Sequence, residues 1–329
     1  MQIVYLSKRP DILRGTLSSV ARYMPFIDEV VLVVPRGTQP RFTYVQEMFP
    51  VDIIFDESLI DADDSGLDHQ ARDYLLRTSL SGHPAISDEF IMSDDDYRPM
   101  APVDLAFFKE NDKYRSYYFY DLRDWIFDDT AFDRGQQNTY QILKYLGYAH
   151  FSYASHMPQI IRKDLLKESK QRFAPYSGRL SLCEWSTYFN YAHRHHCELF
   201  LPPRSYKTLC WPDCITCWPR AIEPEEYVFE NYSPALYKDN GPFSHIGSAE
   251  SGDHDNRFDK ILAWYRHELN VLHGRSLDTD TVPRRILNSL LRPLRRIKDV
   301  LWLRERTQMI RLANRIEKIE TLIESRSGH

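Results

Sequence analysis

Three consecutive carboxylates, Asp94, Asp95 and Asp96, follow the short apolar run Phe90-Ile91-Met92. An apolar run of this length, bounded by polar residues, is typical of a buried strand. Because an unpaired buried charge is costly, a cation is expected beside carboxylates grouped at a strand end. Hard divalent cations prefer oxygen ligands, often carboxylates together with substrate phosphate oxygens. The pattern predicts a metal–diphosphate site on Asp94 and Asp96 or, alternatively, a solvated acidic turn that caps a helix.

The three carboxylates are expected to differ in role. Successive side chains of an extended chain point to opposite faces. Asp94 and Asp96 can therefore flank one ion, Mg²⁺ or Mn²⁺, whereas Asp95 points away from it. Asp95 is accordingly predicted to be the most replaceable of the three.

A predicted helix over 66–80 precedes the acidic strand end and opens with Gly66, His69 and Arg72. Helix N-termini attract phosphate, and a guanidinium adds a bidentate contact. These residues are predicted to hold the phosphates of a nucleotide. If no nucleotide site lies nearby, His69 and Arg72 are solvated surface residues.

The elements that must position these residues alternate between strand and helix, which predicts βαβ units and a mostly parallel sheet. Continuously apolar strands indicate a sheet covered on both faces, and ligands of such sheets bind beyond the carboxyl ends of the strands. The predicted fold class is α/β, a doubly wound, mostly parallel sheet with a C-terminal helical extension. Strands are predicted at 2–6, 30–34, 52–55, 89–93, 117–120 and 206–211, and helices from residue 11 and at 66–80, 138–146, 163–169, 181–196, 257–273 and 283–324.

Composition narrows the class of protein. The 329 residues are 43% hydrophobic and 27% charged, as in ordinary globular proteins, and the net charge of −5 argues against a nucleic-acid partner. No secretory signal or apolar run of membrane-spanning length is visible, so a reducing, cytoplasmic compartment is expected. The five cysteines are then thiols or metal ligands. Cys210, Cys214 and Cys217 form a partial zinc motif, with free thiols the favoured interpretation.

A resemblance to a known family adds to these observations. The first strand with the adjacent Arg9, the Gly66-x-x-x-x-Ala71-Arg72 helix start and the strand ending in Asp94-x-Asp96 resemble the GT-A nucleotide-sugar glycosyltransferases over residues 1–100. The resemblance implies that Asp94 and Asp96 hold Mg²⁺ or Mn²⁺ on a nucleotide diphosphate, with Arg9, His69 and Arg72 on the nucleotide. It also implies a late His or Asp that completes the metal shell, for which His245 is the candidate.

The same resemblance implies a division of the chain. Residues 1–256 would form a GT-A-like catalytic domain, with a nucleotide-binding half at 1–100 and an acceptor half at 101–256. Residues 257–329 would form the helical extension. Inverting glycosyl transfer needs a general base, usually a carboxylate. Glu184, beside Trp185 at a predicted helix start, is the first choice. Asp213 and Asp124 are alternatives, and a helix-capping or surface role competes for all three.

A second resemblance is to the Stealth family of sugar-phosphate transferases. It rests on residues 17–27 before the apolar strand at 30–34 and on Ser155-His156-Met157-Pro158. It implies that His156 contacts a sugar or stabilises a leaving phosphate, against the alternative of a hydrogen-bonded structural histidine. The family's opening Asp-Val-Val-Tyr-Thr-Trp-Val-Asp-Gly pattern is absent, since Ile3-Val4-Tyr5-Leu6-Ser7 stands in its place.

The basic C-terminal tail contains two further patterns. Residues 283–304 combine an apolar stripe with many arginines, which predicts binding to an anionic membrane surface or, alternatively, packing on the body. Residues 309–323 show a short heptad-like seam, which makes a homo-oligomer a hypothesis.

Together these observations predict a cytoplasmic transferase, peripheral at the inner face of a membrane. It would move a sugar from a nucleotide-sugar donor to a glycan or lipid-linked acceptor in cell-surface polysaccharide synthesis. A sugar-1-phosphate transferase and a non-catalytic glycan- or membrane-binding protein are the alternatives.

Overall fold

The computed structural model describes residues 1–60, 66–124, 130–155, 157–206, 208–209, 211, 227–246, 259–260, 263–264 and 267. By their contacts the residues form two compact units, Met1–Pro212 with Ile222–Lys260 and Asp213–Ala221 with Ile261–His329. All elements below belong to the first unit. The predictions for His156, Asp213, the Cys210 motif and the segments 283–304 and 309–323 lie outside the described residues. The domain boundary at residue 256 stays a prediction.

The described residues form both β-strands and α-helices. The strands are β1 Gln2–Leu6, β2 Glu29–Val34, β3 Val51–Phe55, β4 Glu89–Asp94, β5 Tyr97–Pro99, β6 Lys109–Glu110, β7 Lys113–Tyr114, β8 Tyr117–Tyr118, β9 Tyr120–Asp121, β10 Phe151–Ser152, β11 Gln159–Arg162, β12 Arg204–Ser205 and β13 Phe229–Asn231. The α-helices are α1 Pro10–Tyr23, α2 His69–Ser79, α3 Ala131–Tyr145, α4 Lys163–Ser177 and α5 Glu184–His195. None of the helices described is long and apolar enough to cross a membrane.

The central sheet has five strands in the order β11-β4-β1-β2-β3. Strands β4, β1, β2 and β3 are parallel, and β11 runs antiparallel to β4 at the edge. The chain moves from β1 through β2 to β3 and then returns to place β4 on the other side of β1. Because such crossovers are right-handed, α1 and α2 cover opposite faces of the sheet. The predicted doubly wound α/β fold is confirmed.

The order of β1 and β4 creates a topological switch point, the place where open α/β sheets bind ligands. Both strands are apolar on both faces: Ile3, Val4, Phe90 and Ile91 have no exposed surface. Continuous burial of this kind fixes the two strands in a parallel sheet. Their carboxyl ends, and the polar residues that follow, are therefore held at one edge by the core.

Several boundaries differ from the sequence-based predictions. Helix α2 begins at His69 because the Asp68 side chain caps it, accepting a hydrogen bond from the Ala71 amide at 2.8 Å. The strand predicted at 117–120 is divided into β8 and β9. Strand β12 ends at Ser205, just before the strand predicted at 206–211, of which residues 207 and 210 lie outside the described residues. The edge strand β11 was missed because the sequence indicated only an extended stretch there.

Candidate functional site

A cavity of about 630 Å³ lies at the switch point between β1 and β4. Its lining includes the residues that follow β1 and β4, the first two turns of α2 and the start of α5. This volume falls within the range of ordinary small-molecule sites. The fold therefore brings several separate parts of the chain to one ligand-sized space.

Asp94 and Asp96 both line this cavity, as the sequence predicted. The Asp94 carboxylate forms an ion pair with the guanidinium of Arg77, whose side chain is 5% exposed. Asp96 accepts a hydrogen bond from the guanidinium of Arg9 at 2.9 Å. Burial raises the pKa of Asp96, and the neighbouring charge of Asp94 raises it further. The two carboxylates thus repel each other, as expected of two carboxylates that would bind one cation between them.

Asp95 has a different role from the one predicted. Ser7 Oγ donates to its carboxylate at 2.6 Å and Arg9 Nε donates at 3.2 Å, while Thr16 Oγ1 donates to its main-chain carbonyl at 2.7 Å. The β1–β4 register, which pairs Leu6 with Asp94, places Ser7 beside it. Asp95 is only 4% exposed. Asp95 therefore anchors the acidic turn to β1, and the prediction that it is the most replaceable of the three carboxylates stays a prediction.

Glu184, the predicted general base, begins α5 and lines the same cavity. Its carboxylate lies 3.2 Å from Arg77 Nε and accepts a hydrogen bond from Gln70 Nε2 at 3.1 Å. Burial raises the pKa of Glu184 to about 7, against the lowering effect of Arg77. A carboxylate with this pKa can accept or release a proton near neutral pH, which suits a general base.

Arg77 connects the two halves of the site, and sequence reasoning missed it. Its guanidinium contacts Asp94 and Glu184 and lies 5.3 Å from the ring centroid of Trp185. The available signal was the helical spacing of Gln70 and Arg77, seven residues apart, which places both side chains on one face of α2.

The predicted nucleotide-binding residues of α2 are only partly brought to the cavity. Arg72 lines it and donates to the Asp56 carboxylate at 2.6 Å. His69 also lines it, but its side chain is 82% exposed and lies 3.5 Å from the Asp73 carboxylate. Gly66 is exposed and is not among the lining residues. With the Asp68 carboxylate already capping this N-terminus, a phosphate would be held by Arg72 rather than by the helix end.

Two other candidates lie apart from this cavity. His245 is exposed in the 241–246 loop and is not a lining residue. Asp124 is exposed and lies 3.4 Å from Arg123 Nε. Neither placement brings the residue to Asp94 or Glu184. Of the cysteines, Cys183 is a buried free thiol and Cys197 an exposed one.

The side chains of the cavity could supply part of the ligand set of a divalent cation. In the described part of the chain, no group of three or more His, Cys, Asp or Glu side chains could hold a metal ion. Mg²⁺, however, is commonly bound by one or two carboxylates plus substrate phosphates. Asp94 and Asp96 fit that pattern if the substrate completes the coordination shell.

The charge of the cavity favours the same interpretation. The carboxylates among its described lining residues are Asp56, Asp73, Asp94, Asp95, Asp96 and Glu184. The basic side chains are Lys8, Arg9, Arg72 and Arg77. Six carboxylates thus face four cationic groups. With all of these groups ionised, the described lining carries a net charge of −2 that a divalent cation would offset.

No family model and no curated protein matches the sequence. Among solved structures, the galactosyltransferase LgtC in complex with donor and acceptor sugar analogues is 12% identical, with a TM-score of 0.42, over 87% of this chain and 99% of its own. Mouse xyloside xylosyltransferase 1 in its apo form is 13% identical, with a TM-score of 0.36, over 61% of this chain and 83% of its own. No residue's role is transferred at such identities, so each role proposed below follows from this chain's own contacts.

Proposed function

We propose that the protein is a metal-dependent glycosyltransferase that moves a sugar from a nucleotide-sugar donor to a glycan or lipid-linked acceptor. One observation carries this proposal: a single cavity at the switch point is lined by Asp94, Asp96 and the buried Glu184. A carboxylate pair for a cation–diphosphate and a proton acceptor near neutral pH are two groups that an inverting transfer of this kind uses. The resemblance of residues 1–100 to GT-A transferases supports the same class.

The excess negative charge explains why a cation would be needed. A nucleotide diphosphate brings further negative charge into a cavity where six carboxylates face four basic groups. Mg²⁺ or Mn²⁺ held by Asp94 and Asp96 would neutralise charge on the leaving diphosphate. Arg72 lines the same cavity and has N–H groups suited to phosphate oxygens.

Glu184 would remove the proton from the acceptor hydroxyl. Its carboxylate is held from one side by Gln70 and from the other by Arg77, so its position is fixed before substrate arrives. Trp185 and Phe132 line the cavity beside it and offer apolar surface to a sugar ring.

The proposal is tested by screening nucleotides and nucleotide sugars for thermal stabilisation with and without Mn²⁺, and by assaying donor turnover. We expect stabilisation that needs both nucleotide and metal. We expect Asp96→Asn to abolish it without loss of the fold, while the exposed Asp52→Asn serves as the matched control. Full activity of Asp96→Asn, or of the wild type in EDTA, would remove the metal role.

The released nucleotide distinguishes the alternatives. Glycosyl transfer releases a nucleoside diphosphate, whereas sugar-1-phosphate transfer, the route implied by the Stealth resemblance, releases a nucleoside monophosphate. Stabilisation by glycans without any effect of nucleotide and metal would instead support a non-catalytic binding protein.

The membrane part of the proposal rests on the arginine-rich sequence of 283–304. We propose that this segment holds the enzyme against anionic lipid, where a lipid-linked acceptor of polysaccharide synthesis would be found. Flotation with anionic liposomes, with and without residues 283–329, tests it. Equal binding by the truncated protein would reject the role of the tail.

A further inference from the structure

A second set of contacts, outside the cavity, holds the main chain of the acidic turn. Strand β13 pairs antiparallel with β5, the strand that follows the turn. The Tyr232 amide, just beyond β13, donates to the Asp96 carbonyl at 2.6 Å. Thr16 on α1 donates to the carbonyl of Asp95. The carbonyls of Asp95 and Asp96 are thus both fixed by groups distant in sequence.

The ring of Tyr232 is packed between two parts of the fold. Tyr232 is 2% exposed, and the guanidinium carbon of Arg98 lies 3.8 Å from its ring centroid. The ring also lies against Gly15 of α1. A Cβ added at Gly15 would lie 2.3 Å from Tyr232 Cε1, well inside the van der Waals distance. Gly15 stands inside α1, where alanine is the better helix former. The glycine therefore makes room for the tyrosine ring.

A buried ionic centre fixes the strand that carries Tyr232. Glu230 has no exposed surface, and its carboxylate accepts hydrogen bonds from Arg98 Nε and Lys260 Nζ, both at 2.7 Å, and from Trp211 Nε1 at 2.8 Å. Arg98 and Glu230 are also register partners in the β5–β13 ladder. Removing one partner of such a buried pair leaves an uncompensated charge, so the pairing of β5 with β13 is strongly specified.

We infer that Tyr232 is a positioning residue for the cation–diphosphate site. Its ring packs between Gly15 and Arg98, and the hydrogen bonds of Glu230 hold the strand that precedes it. The Tyr232 amide therefore fixes the main chain of Asp96 and with it the direction in which the Asp96 carboxylate points into the cavity. The inference rests on the proposed function in that Asp96 is taken to bind the cation. Tyr232 does not itself line the cavity, so it acts only through the acidic turn.

A matched pair of glycine substitutions tests this inference in the full-length protein. Gly15→Ala pushes on the Tyr232 ring without removing any charge or hydrogen-bonding group, whereas Gly82→Ala places its Cβ where nothing lies within 4 Å. Hydrogen exchange over the peptides that contain β5 and β13 reports the turn itself. Calorimetric titration with Mn²⁺ and inorganic pyrophosphate reports the site.

We expect Gly15→Ala alone to accelerate exchange over β5 and β13. We also expect it to weaken binding of manganese pyrophosphate by about 10- to 100-fold, the usual effect of losing an outer-shell partner. Unchanged exchange and binding in Gly15→Ala would overturn the inference. If the wild type does not bind manganese pyrophosphate, the proposed function fails, and the exchange measurement alone decides whether Tyr232 positions the turn.

A second variant, Tyr232→Leu, shows whether the effect passes through the ring. Leucine keeps the main-chain N–H and a buried apolar side chain but does not reach the space that a Cβ at residue 15 needs. Gly15→Ala should therefore add nothing in the Tyr232→Leu background, as a double-mutant cycle measures. An equally large effect of Gly15→Ala in both backgrounds would assign its cause to α1 rather than to Tyr232 and would overturn the inference. If Gly15→Ala alone does not fold, Tyr232→Leu is compared directly with Gly82→Ala by the same two measurements.

Discussion

The buried carboxyl of Glu184 makes stability depend on pH in a direction opposite to that of a salt-bridged surface acid. Burial raises its pKa from the usual 4.5 to about 7. At low pH the group is protonated in both the folded and the unfolded chain and has no differential effect. Between these two pKa values the unfolded chain releases the proton and the folded chain keeps it, so stability falls as pH rises. Above about pH 7 this contribution to the free energy of unfolding has been lost in full.

The size of this loss follows from the two pKa values. One pKa unit corresponds to about 1.4 kcal/mol, so the rise from 4.5 to about 7 removes about 3 kcal/mol in full. Most of that, about 2–3 kcal/mol, falls between pH 5 and pH 8, by the linkage relation. Because Glu184 is only 5% exposed, solvent screening does not reduce this figure much. Glu184→Gln keeps the shape and removes the titration.

Urea unfolding of wild type and Glu184→Gln at pH 5, 6, 7 and 8 measures the effect without any substrate. Other acids titrate in both proteins, so the difference between the two curves isolates residue 184. We expect the wild type to lose about 2–3 kcal/mol relative to the variant from pH 5 to pH 8. Parallel curves would show that Glu184 titrates normally and would remove the reason to call it a base at neutral pH. Once a donor is known, kcat/KM should decline below about pH 7 in the wild type.

Two further variants probe the groups that hold the acidic residues. Arg77→Met leaves Asp94 and Glu184 without their shared guanidinium and should cost about 3–5 kcal/mol of unfolding free energy; a loss below 1 kcal/mol in urea titration would contradict the bridging role. Asp95→Asn weakens the charge-assisted hydrogen bonds from Ser7 and Arg9 and should cost about 1.5–3 kcal/mol, whereas the exposed Asp52→Asn control should stay within about 0.5 kcal/mol. Equal stability of these two variants would support the original prediction that Asp95 is replaceable.

The fold was predictable because its signals are local. Apolar strands alternating with helices indicate a covered parallel sheet, and β4, β1, β2 and β3 form such a sheet. Asp94, Asp96 and Glu184 could be named as candidates for the same reason, since Asp94 ends β4, Asp96 lies in the turn just after it and Glu184 begins α5. What remained hidden depends on contacts between distant segments. The spacing of Gln70 and Arg77 shows only that they share a face of α2, not which residues Arg77 contacts. The packing of Tyr232 against Gly15 has no pattern in one stretch of sequence.

The contacts of Asp95 differ from those expected for a specific physical reason. The prediction assumed that the chain stays extended through residue 96, so that alternate side chains face opposite sides. Strand β4 instead ends at Asp94, and residues 95–96 form a turn. A turn changes the direction of each side chain, and here it directs Asp95 toward Ser7 at the end of β1. A run of identical residues at a strand end therefore cannot be assigned roles by alternation alone.

The arrangement of the site also indicates how a cation and a donor would enter it. Asp94 and Asp96 each already contact a guanidinium, that of Arg77 and that of Arg9 respectively. A cation alone would have to share both carboxylates with these groups, and two carboxylates leave most of its coordination positions to other ligands. A diphosphate supplies the missing oxygens and offers both arginines a second acceptor. Cation and nucleotide should therefore bind far better together than separately, which is why the nucleotide screen and the pyrophosphate titration include the metal.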